Sequence, residues 1–407
     1  MRAGRVGRVG RVGRAGRSRP VTSRRAAFRI VAAAFAVTMS GTTMPTPLYP
    51  LYQRAMGFST LTTTVVFAAY AVGVLAALLL VGRASDVIGR RRTLLPGLAC
   101  AASSAILFLV ADDVGVLIVA RLLSGLSAGV FTGTATATLV DFDEDGGRAT
   151  LVAAVANMGG LGAGPLVSGL LAQYAPAPLR LTFLLHLLLV VAVGVGIRAI
   201  PEPVTARSPR DLRITRLAVP TAMRTTFAGA AVAGFASFAV LGLFTAVTPL
   251  FLRTLLAVPD PAPAGRLVCW LLVVSTFGQA VVVPRLRERA LPVGSGTLVL
   301  GALVLAGALA VGSLPLLLVA TTLAGLGQGT TFRAALALLT SASPPDRRAE
   351  VASCFFVVAY VAISAPVVGE GLAAQLVGLR TAGVGFGVAV AVLAAVAMVG
   401  FRPKATP

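Results

Sequence analysis

The chain has 407 residues, of which 57% are hydrophobic and only 12% are charged, and its formal net charge is +21 at pH 7. A soluble protein of this length does not need so much apolar surface, so the composition excludes a soluble globular fold and predicts a membrane protein. The apolar residues form long continuous runs, which predict transmembrane helices rather than a β-barrel. The sequence therefore predicts an all-α membrane protein.

Taken in order, the chain divides into two apolar halves with polar segments around them. Residues 1–27 repeat Gly-Arg-Val and related triplets, and we expect them to be a disordered basic tail. The other predicted segments are a first six-helix bundle at 28–201, a polar linker at 202–224, a second bundle at 225–402 and a short tail at 403–407. The predicted helices cover about 28–49, 60–81, 93–111, 114–139, 149–173, 180–200, 225–252, 266–283, 291–312, 315–339, 349–376 and 381–401. This is a prediction of twelve transmembrane helices.

The placement of the positive charge predicts the orientation. Most of the 35 basic residues fall in the tails, the linker and the loops on one side of the predicted helices. The exceptions are Arg54, Arg180, Arg253, Arg266 and Arg380 on the other side and Arg121 and Arg333 within helices. Basic residues collect on the cytoplasmic side of a membrane protein. We therefore expect a cell-membrane protein with both termini in the cytoplasm, and the charge indicates contact with a lipid bilayer rather than nucleic acid.

The two halves repeat each other. The segment Leu123–Gly129 aligns with Leu323–Gly329 at an offset of 200 residues, and Arg148 aligns with Arg348 at the same offset. Pro165 aligns with Pro366 one residue later. A duplicated six-helix unit is typical of transporters that move two bundles about a central site.

A short charged loop between helices 2 and 3 carries a recognisable pattern. Its matching positions are Gly82, Asp86, Gly89, Arg90, Arg91 and Leu94. This spacing resembles the loop 2–3 signature of the major facilitator superfamily, although Ala84 and Val87 stand where that family usually has Leu and Arg. The resemblance implies that this loop gates the cytoplasmic side and that Asp86 contacts the start of helix 11, at Arg348 and Ala349, when that side is closed. The alternative is an ordinary positive-inside loop.

Helices 4 and 5 carry two further resemblances to this superfamily. Arg121 followed by Gly125 resembles its helix 4 signature, with Ser124 and Ser127 replacing the usual Gln and Gly. The residues Gly160, Gly164, Pro165 and Gly169 match its antiporter-type helix 5 signature, in which Ser168 replaces one glycine. This second resemblance implies export of a drug or a small amphipathic metabolite in exchange for protons.

Proton exchange requires a titratable group, and Glu370 is the one carboxylate well inside a predicted helix. Burial disfavours the charged form of a carboxyl group, so Glu370 is the candidate proton carrier. Arg121 lies at a similar depth and is its candidate partner, whereas Arg333 lies too far along its helix. The alternatives are that Glu370 is permanently paired or faces the interface, and that Arg121 extends to the membrane surface.

Several polar residues within predicted helices are candidates for lining a transport path, namely Tyr70, Asn157, Gln279, Gln328, Arg333 and Tyr360. The three cysteines lie in different apolar runs and there is one histidine, so we expect no metal site and no cofactor. No nucleophile–base cluster is visible, so we do not expect an enzyme. The leading hypothesis is a monomeric proton-coupled exporter of a small lipophilic molecule. The alternatives are an uptake symporter or facilitator and a non-transporting sensor or scaffold.

Overall fold

The computed structural model describes residues 22–81, 84–144, 146–204, 217–258, 260–345 and 347–400. These residues contain twelve helices of 17 residues or more, which we number α1 to α12. They are α1 (Arg24–Thr43), α2 (Thr60–Val81), α3 (Arg90–Val110), α4 (Val114–Phe142), α5 (Ala149–Tyr174), α6 (Pro178–Ala199), α7 (Arg224–Ala246), α8 (Pro261–Phe277), α9 (Ala290–Val311), α10 (Leu314–Ala342), α11 (Arg348–Val377) and α12 (Leu379–Gly400). The predicted number of helices and their order match the structure.

Side-chain caps fix several helix starts. The carboxylate of Asp143 accepts hydrogen bonds from the backbone N–H groups of residues 147, 148 and 149 at 2.9–3.0 Å, directly before α5. Asp113 caps α4 and Ser313 caps α10 through the backbone N–H groups of Val116 and Leu316. Such caps satisfy backbone N–H groups that have no partner inside the helix, so Asp143, Asp113 and Ser313 determine where α5, α4 and α10 begin.

The first helix of each half differs from the prediction. The structure starts α1 at Arg24, so residues 24–27 are helical and do not belong to a disordered tail. The prolines do not end the segment near Tyr49, because a 3₁₀ turn (Thr46–Leu48) and a short helix (Tyr49–Met56) continue it. Similarly, α7 ends at Ala246 and a short helix follows over Thr248–Leu255. Proline lacks the backbone N–H group of a helix interior but is accepted in the first turn, so each proline-containing segment starts a new helix.

The region between α8 and α9 also differs. Helix α8 begins at Pro261, five residues earlier than predicted, and it continues through a π-helical turn (Gly278–Val282) and one α-helical turn (Val283–Leu286). A 3₁₀ turn (Arg287–Arg289) then leads into α9. The predicted linker at 202–224 lies mostly outside the described residues.

The helices pack as two groups of six that meet along two seams. Extensive contacts join α1–α6 to one another, and others join α7–α12. The two groups contact each other mainly through α2 with α11 and through α5 with α8. Because α8 and α11 stand in the second half where α2 and α5 stand in the first, the two seams are related by the internal repeat.

The segments are long and apolar enough for a membrane. Ten segments of the described chain meet the length and composition of a membrane span, and one of them, Pro261–Val311, contains both α8 and α9. Eleven of the twelve long helices lie in these segments. The remaining one, α10, carries Gln328, Arg333 and several threonines. The all-α membrane fold predicted from composition is therefore confirmed.

Candidate functional site: a cavity between the two halves

A cavity of about 670 Å³ lies between the two helix groups. Its walls come from α1, α2, α4 and α5 on one side and from α7, α8, α10 and α11 on the other. At one end the lining includes Asp86 and exposed Ala349, so the cavity opens where α2 ends and α11 begins. We call this the Asp86 end of the molecule, and the opposite end, where α1 breaks, the Tyr49 end.

The cavity is closed at the Tyr49 end. Leu48, Tyr49, Thr64 and Val247 are each exposed by no more than 2% there. Only a void of about 10 Å³ lies between the α1 break, the start of α2 and the α7 break. The structure is therefore open to solvent at one end of the central cavity and sealed at the other.

Aromatic rings form the inner part of the cavity wall. Tyr70 and Tyr360 meet across the two halves with their ring centroids 6.4 Å apart, and Phe238 lies 6.5 Å from Tyr360. The ring of Phe332 packs edge-on against Phe238 at 5.1 Å. Polar atoms enter this wall from Asn157 and Gln279. A mostly apolar wall with a few placed polar groups is the usual form of a small-molecule site.

Arg121 lies at the closed, inner end of the cavity. Its side chain is 1% exposed, and its guanidinium donates to the backbone carbonyl oxygens of Thr42 and Phe67. The guanidinium carbon also lies 4.7 Å from the ring centroid of Tyr70. Thr42 belongs to the last turn of α1, where carbonyl groups have no helical partner and carry partial negative charge. Arg121 thus binds the broken end of α1 instead of extending to the membrane surface.

The predicted pair of Arg121 and Glu370 is not formed in this conformation. Glu370 is 3% exposed, and both of its carboxylate oxygens are buried without a hydrogen-bond partner. The guanidinium of Arg121 is held by the carbonyl oxygens of its own half, and its Nε is also unpartnered. The pairing expectation was wrong for this conformation because the α1 break supplies Arg121 with other acceptors.

The charged loop after α2 forms a compact cluster at the Asp86 end. Arg90 donates to Asp86 at 2.5 Å, to Asp141 at 2.8 Å and to the hydroxyl of Ser85 at 2.8 Å. The Asp86 side chain is 60% exposed. Its predicted contact with Arg348 and Ala349 is absent here, because the open mouth of the cavity lies between them. Gly82 lies outside the described residues.

A second carboxylate anchors the same loop. Glu202 accepts hydrogen bonds from the backbone N–H groups of Arg90 at 2.6 Å and Arg91 at 3.0 Å, at the first turn of α3. Gly89 precedes them with φ of 109°, and a Cβ atom at Gly89 would lie 2.7 Å from Glu202. A positive φ with no room for a side chain requires glycine here. The sequence reasoning missed Glu202, although a lone acid between Pro201 and Pro203 after a helix was a visible signal.

The glycines of the helix 4 and helix 5 signatures pack helices together. Gly125 of α4 lies against the backbone of Tyr70 and Val74 in α2. On α5, Gly160 and Gly164 lie against the backbone of α1, and Gly169 lies 3.0 Å (as an added Cβ) from the carbonyl oxygen of Pro261 in α8. None of these glycines lines the cavity. Pro165 shares this packing, because its carbonyl oxygen lies against Gly265 of α8.

The predicted cavity residues divide into two groups. Tyr70, Asn157, Gln279 and Tyr360 line the central cavity, whereas Gln328 and Arg333 do not. Gln328 accepts a hydrogen bond from Ser275 at 2.6 Å, and the Ser275 hydroxyl in turn accepts one from Gln279 at 3.2 Å. Gln328 therefore supports a cavity residue from behind. The phenylalanines of the wall were not predicted, because in a membrane helix an inward-facing Phe has the same apolar signal as a lipid-facing one.

Comparison with known proteins identifies the family. The model of the Major Facilitator Superfamily matches residues 31–365. The chain belongs to the major facilitator superfamily. It is a transporter of that family and not an enzyme.

The similar proteins include one curated relative and several solved structures. The chain is 35% identical over 148 residues to puromycin resistance protein pur8 of Streptomyces alboniger, a match that covers 36% of the chain and 29% of that protein. Two inward-facing structures of a bacterial homologue of the human lysosomal transporter Spinster align with TM-scores of 0.72 and 0.73, at 15% and 14% identity, and cover 95% and 96% of the chain and 98% and 100% of the solved chains. The human organic anion transporter MFSD10 aligns with a TM-score of 0.64 at 16% identity, covering 94% and 100% of the two chains. These structural similarities establish the fold.

Proposed function

We propose that this transporter exports a small lipophilic molecule in exchange for protons by alternating access. The observation that carries the proposal is the central cavity, which lies between the two halves and is open at one end only. Its volume of about 670 Å³ lies within the range of small-molecule sites, which is roughly 300–1,000 Å³. Its aromatic and aliphatic walls favour a lipophilic body, and Asn157 and Gln279 supply hydrogen-bonding groups.

The direction of export depends on which end faces the cytoplasm. Described basic residues collect at the Asp86 end, as shown by Arg90, Arg91, Arg198, Arg287 and Arg348. This asymmetry supports an orientation in which the Asp86 end and both termini lie on the cytoplasmic side of a cell membrane. The cavity then takes up substrate from the cytoplasm in this conformation. The antiporter-type glycines of α5 and the partial similarity to a puromycin resistance protein both support export of a drug-like substrate.

Glu370 is the proposed carrier of the exchanged proton. It is buried in α11 with both carboxylate oxygens unpartnered, and a Cβ atom added to its neighbour Gly369 would meet nothing within 4 Å. Burying an ionised carboxylate without a partner is strongly unfavourable, so the neutral form is the stable one in this conformation. Arg121 does not pair with it here, so we assign Arg121 to the end of α1 and to the inner wall of the cavity.

Growth and transport measurements with matched glycine variants test the proposal. Gly133 lines the cavity and Gly307 lies outside it on α9, and in both places an added Cβ atom meets no atom within 4 Å. We expect wild-type protein to protect an efflux-deficient host against some members of a compound panel that includes puromycin. Gly133→Phe should abolish this protection by filling the cavity, whereas Gly307→Phe should keep it.

Reconstituted protein separates the alternatives. A proton gradient directed into the vesicles should drive substrate accumulation inside them for a symporter and substrate expulsion from them for an antiporter. A facilitator should equilibrate the substrate without a pH effect. Absence of counterflow with every compound that the protein binds would indicate a sensor. The orientation is checked by an impermeant thiol reagent on intact cells, which should label Asp112→Cys but not Glu288→Cys, since these exposed residues lie at opposite ends.

A further inference from the structure

Glu370 occupies a special place on the seam between the two halves. Its neighbour Gly371 lies against Thr64 of α2, and a Cβ atom at Gly371 would lie 2.9 Å from the Thr64 methyl carbon. Thr64 is 1% exposed and belongs to the sealed Tyr49 end. The carboxyl group of Glu370 is therefore next to the contact that closes the molecule at this end.

The same face of α11 lines two open spaces, one on either side of Glu370 along the helix. Four residues further along, Ala374 lines an open vestibule of about 470 Å³ at the Tyr49 end, together with Ser59, which directly precedes α2, Thr60 of α2 and Thr254. Seven residues earlier, Ile363 lines the central cavity. At 1.5 Å per residue these positions lie about 6 Å and about 10 Å from Glu370 along the helix. Residues four and seven apart share a helix face, so Glu370 lies between the vestibule and the cavity.

No charged side chain of the surrounding elements neutralises Glu370. Helix α11 packs against α2, α7, α10 and α12. Tyr70 is the only titratable residue of α2, and Arg224 of α7 lies at the far end of its helix. Arg380 of α12 donates to the carbonyl oxygen of Ala310, and Arg333 of α10 lies two-thirds of the way towards the Asp86 end. Of the two short helices at the Tyr49 end, one contributes Arg54, which bonds to Pro50, and the other contributes Arg253. The unpartnered oxygens show that none of these residues bonds to Glu370.

We propose that Glu370 is a proton-operated plug, and that it must take a proton from vestibule water before the α2–α11 seam closes. One proton passes from a hydronium ion in the vestibule to a carboxylate oxygen, and no other bond is formed or broken. The neutral side chain then fits the dry seam. Without the proton, the seam stays open because the carboxylate keeps its water. This inference rests on the proposed antiport and adds how the coupled proton is linked to the gate.

The linkage predicts a pH-dependent gate. If closure requires a bound proton, each pH unit above the titration point of open Glu370 raises the ratio of open to closed molecules up to about tenfold. The open seam is therefore favoured at high pH and the closed seam at low pH. Glu370→Gln mimics the neutral form and should keep the seam closed over the whole range.

The experiment measures how fast a thiol reagent labels a cysteine in the α2–α11 seam, in purified protein without substrate. The background carries Ser in place of Cys100, Cys269 and Cys354, and the reporter is Thr64→Cys. The reference is Thr254→Cys, which faces the vestibule and corrects for ionisation of the thiol. We expect the ratio of the two labelling rates to rise about tenfold or more between pH 5 and pH 8, and to stay low at every pH in Glu370→Gln. Glu350→Gln removes a carboxylate at the other end of α11 and should leave the rise unchanged.

A distance measurement covers the case in which Thr64→Cys disturbs the seam. Spin labels at exposed Ser59, directly before α2, and Gln375 of α11 lie on the two sides of the vestibule. Their separation should increase at high pH in otherwise wild-type protein and stay short in Glu370→Gln. The proposal would be overturned if neither the spin-label distance nor the labelling ratio changed with pH. It would also be overturned if both changed with pH in Glu370→Gln as much as in the protein that keeps Glu370. Because no substrate is involved, the result does not depend on the substrate or on the direction of its transport, so failure of this proposal can be distinguished from failure of the proposed export.

Discussion

The two seams between the halves occupy equivalent places in the repeat but have different chemistry. At the offset that aligns Pro165 with Pro366, Gly169 of α5 corresponds to Glu370 of α11, and Gly265 of α8 corresponds to Thr64 of α2. In the α5–α8 seam, an added Cβ on Gly169 would lie 3.3 Å from the Cα atom of Gly265. The α2–α11 seam has a carboxyl group and a threonine at these places. At these equivalent places the α5–α8 seam has closely packed glycines, whereas the α2–α11 seam has a titratable group.

This difference indicates that the two seams have different roles in the movement of the halves. Close backbone contact through small residues supports helix association in a membrane without any change of charge. The α5–α8 seam has this character and is suited to stay packed as a pivot. The α2–α11 seam contains a group whose neutral form alone fits a dry interface. Its closure can therefore respond to protons, and the predictions below test this contrast.

The largest effect should come from filling the α5–α8 seam. A methyl group at Gly265 would overlap the carbonyl oxygen of Pro165, and a backbone atom moves aside less easily than a side chain. Because overpacking costs about 1–3 kcal/mol, we expect Gly265→Ala to lower stability by about 3 kcal/mol. Thermal unfolding of the purified protein measures this, with Gly159→Ala of α5 as the control because its Cβ would meet nothing within 4 Å. Equal unfolding temperatures for the two variants would contradict a tightly packed pivot.

The broken first helices of the two halves offer the second test. In the first half Arg121 binds the carbonyl oxygen of Thr42 at the end of α1, whereas the equivalent residue of the second half is Thr321, which bonds only to Leu317 of its own helix. Arg121→Met leaves buried carbonyl groups unsatisfied and should destabilise the protein by about 2 kcal/mol. Thr321→Val should change stability by less than about 1 kcal/mol. Similar losses in chemical unfolding of both variants would show that the α1 break does not depend on Arg121.

The sequence predicted the helices far better than the contacts of the site. Apolar runs defined twelve helices and the repeat defined two halves, because membrane thickness and backbone hydrogen bonding restrict both strongly. The roles of single residues were harder to predict because they depend on which helix faces which. Arg121 and Glu370 have similar depths along their helices, yet the break after Thr43 gives Arg121 nearby acceptors and leaves Glu370 without a partner. The same limitation hid Glu202, whose bonds to Arg90 and Arg91 cross more than 100 residues of chain.

A smaller effect is expected from a methyl group in the α2–α11 seam. At Gly371 it would meet the side chain of Thr64, which gives way more easily than the backbone oxygen at Gly265, so Gly371→Ala should cost about 1 kcal/mol of closed-seam stability. This corresponds to roughly a fivefold shift towards the open seam. Spin labels at Ser59 and Gln375 should report a longer distance at every pH. At Gly369 an added Cβ meets nothing within 4 Å, so Gly369→Ala should behave as wild type, and a shift in both variants would assign the effect to helix propensity instead of the seam.

The smallest effect on stability is expected at Asp86, whose role in this conformation is limited. Its side chain is 60% exposed, and an exposed ion pair contributes about 0–1 kcal/mol. Arg90 also keeps its bond to Asp141, which is 29% exposed, so Asp86→Asn should unfold almost as wild type whereas Asp141→Asn should lose more stability.

The consequence of Asp86→Asn for transport is different, because Asp86 can reach the positive start of α11 only when the cavity mouth closes. Asp86→Asn should therefore slow cycling and favour the form that is open at the Asp86 end. Unchanged counterflow in proteoliposomes would remove Asp86 from the gate and leave Arg90 with a purely structural role.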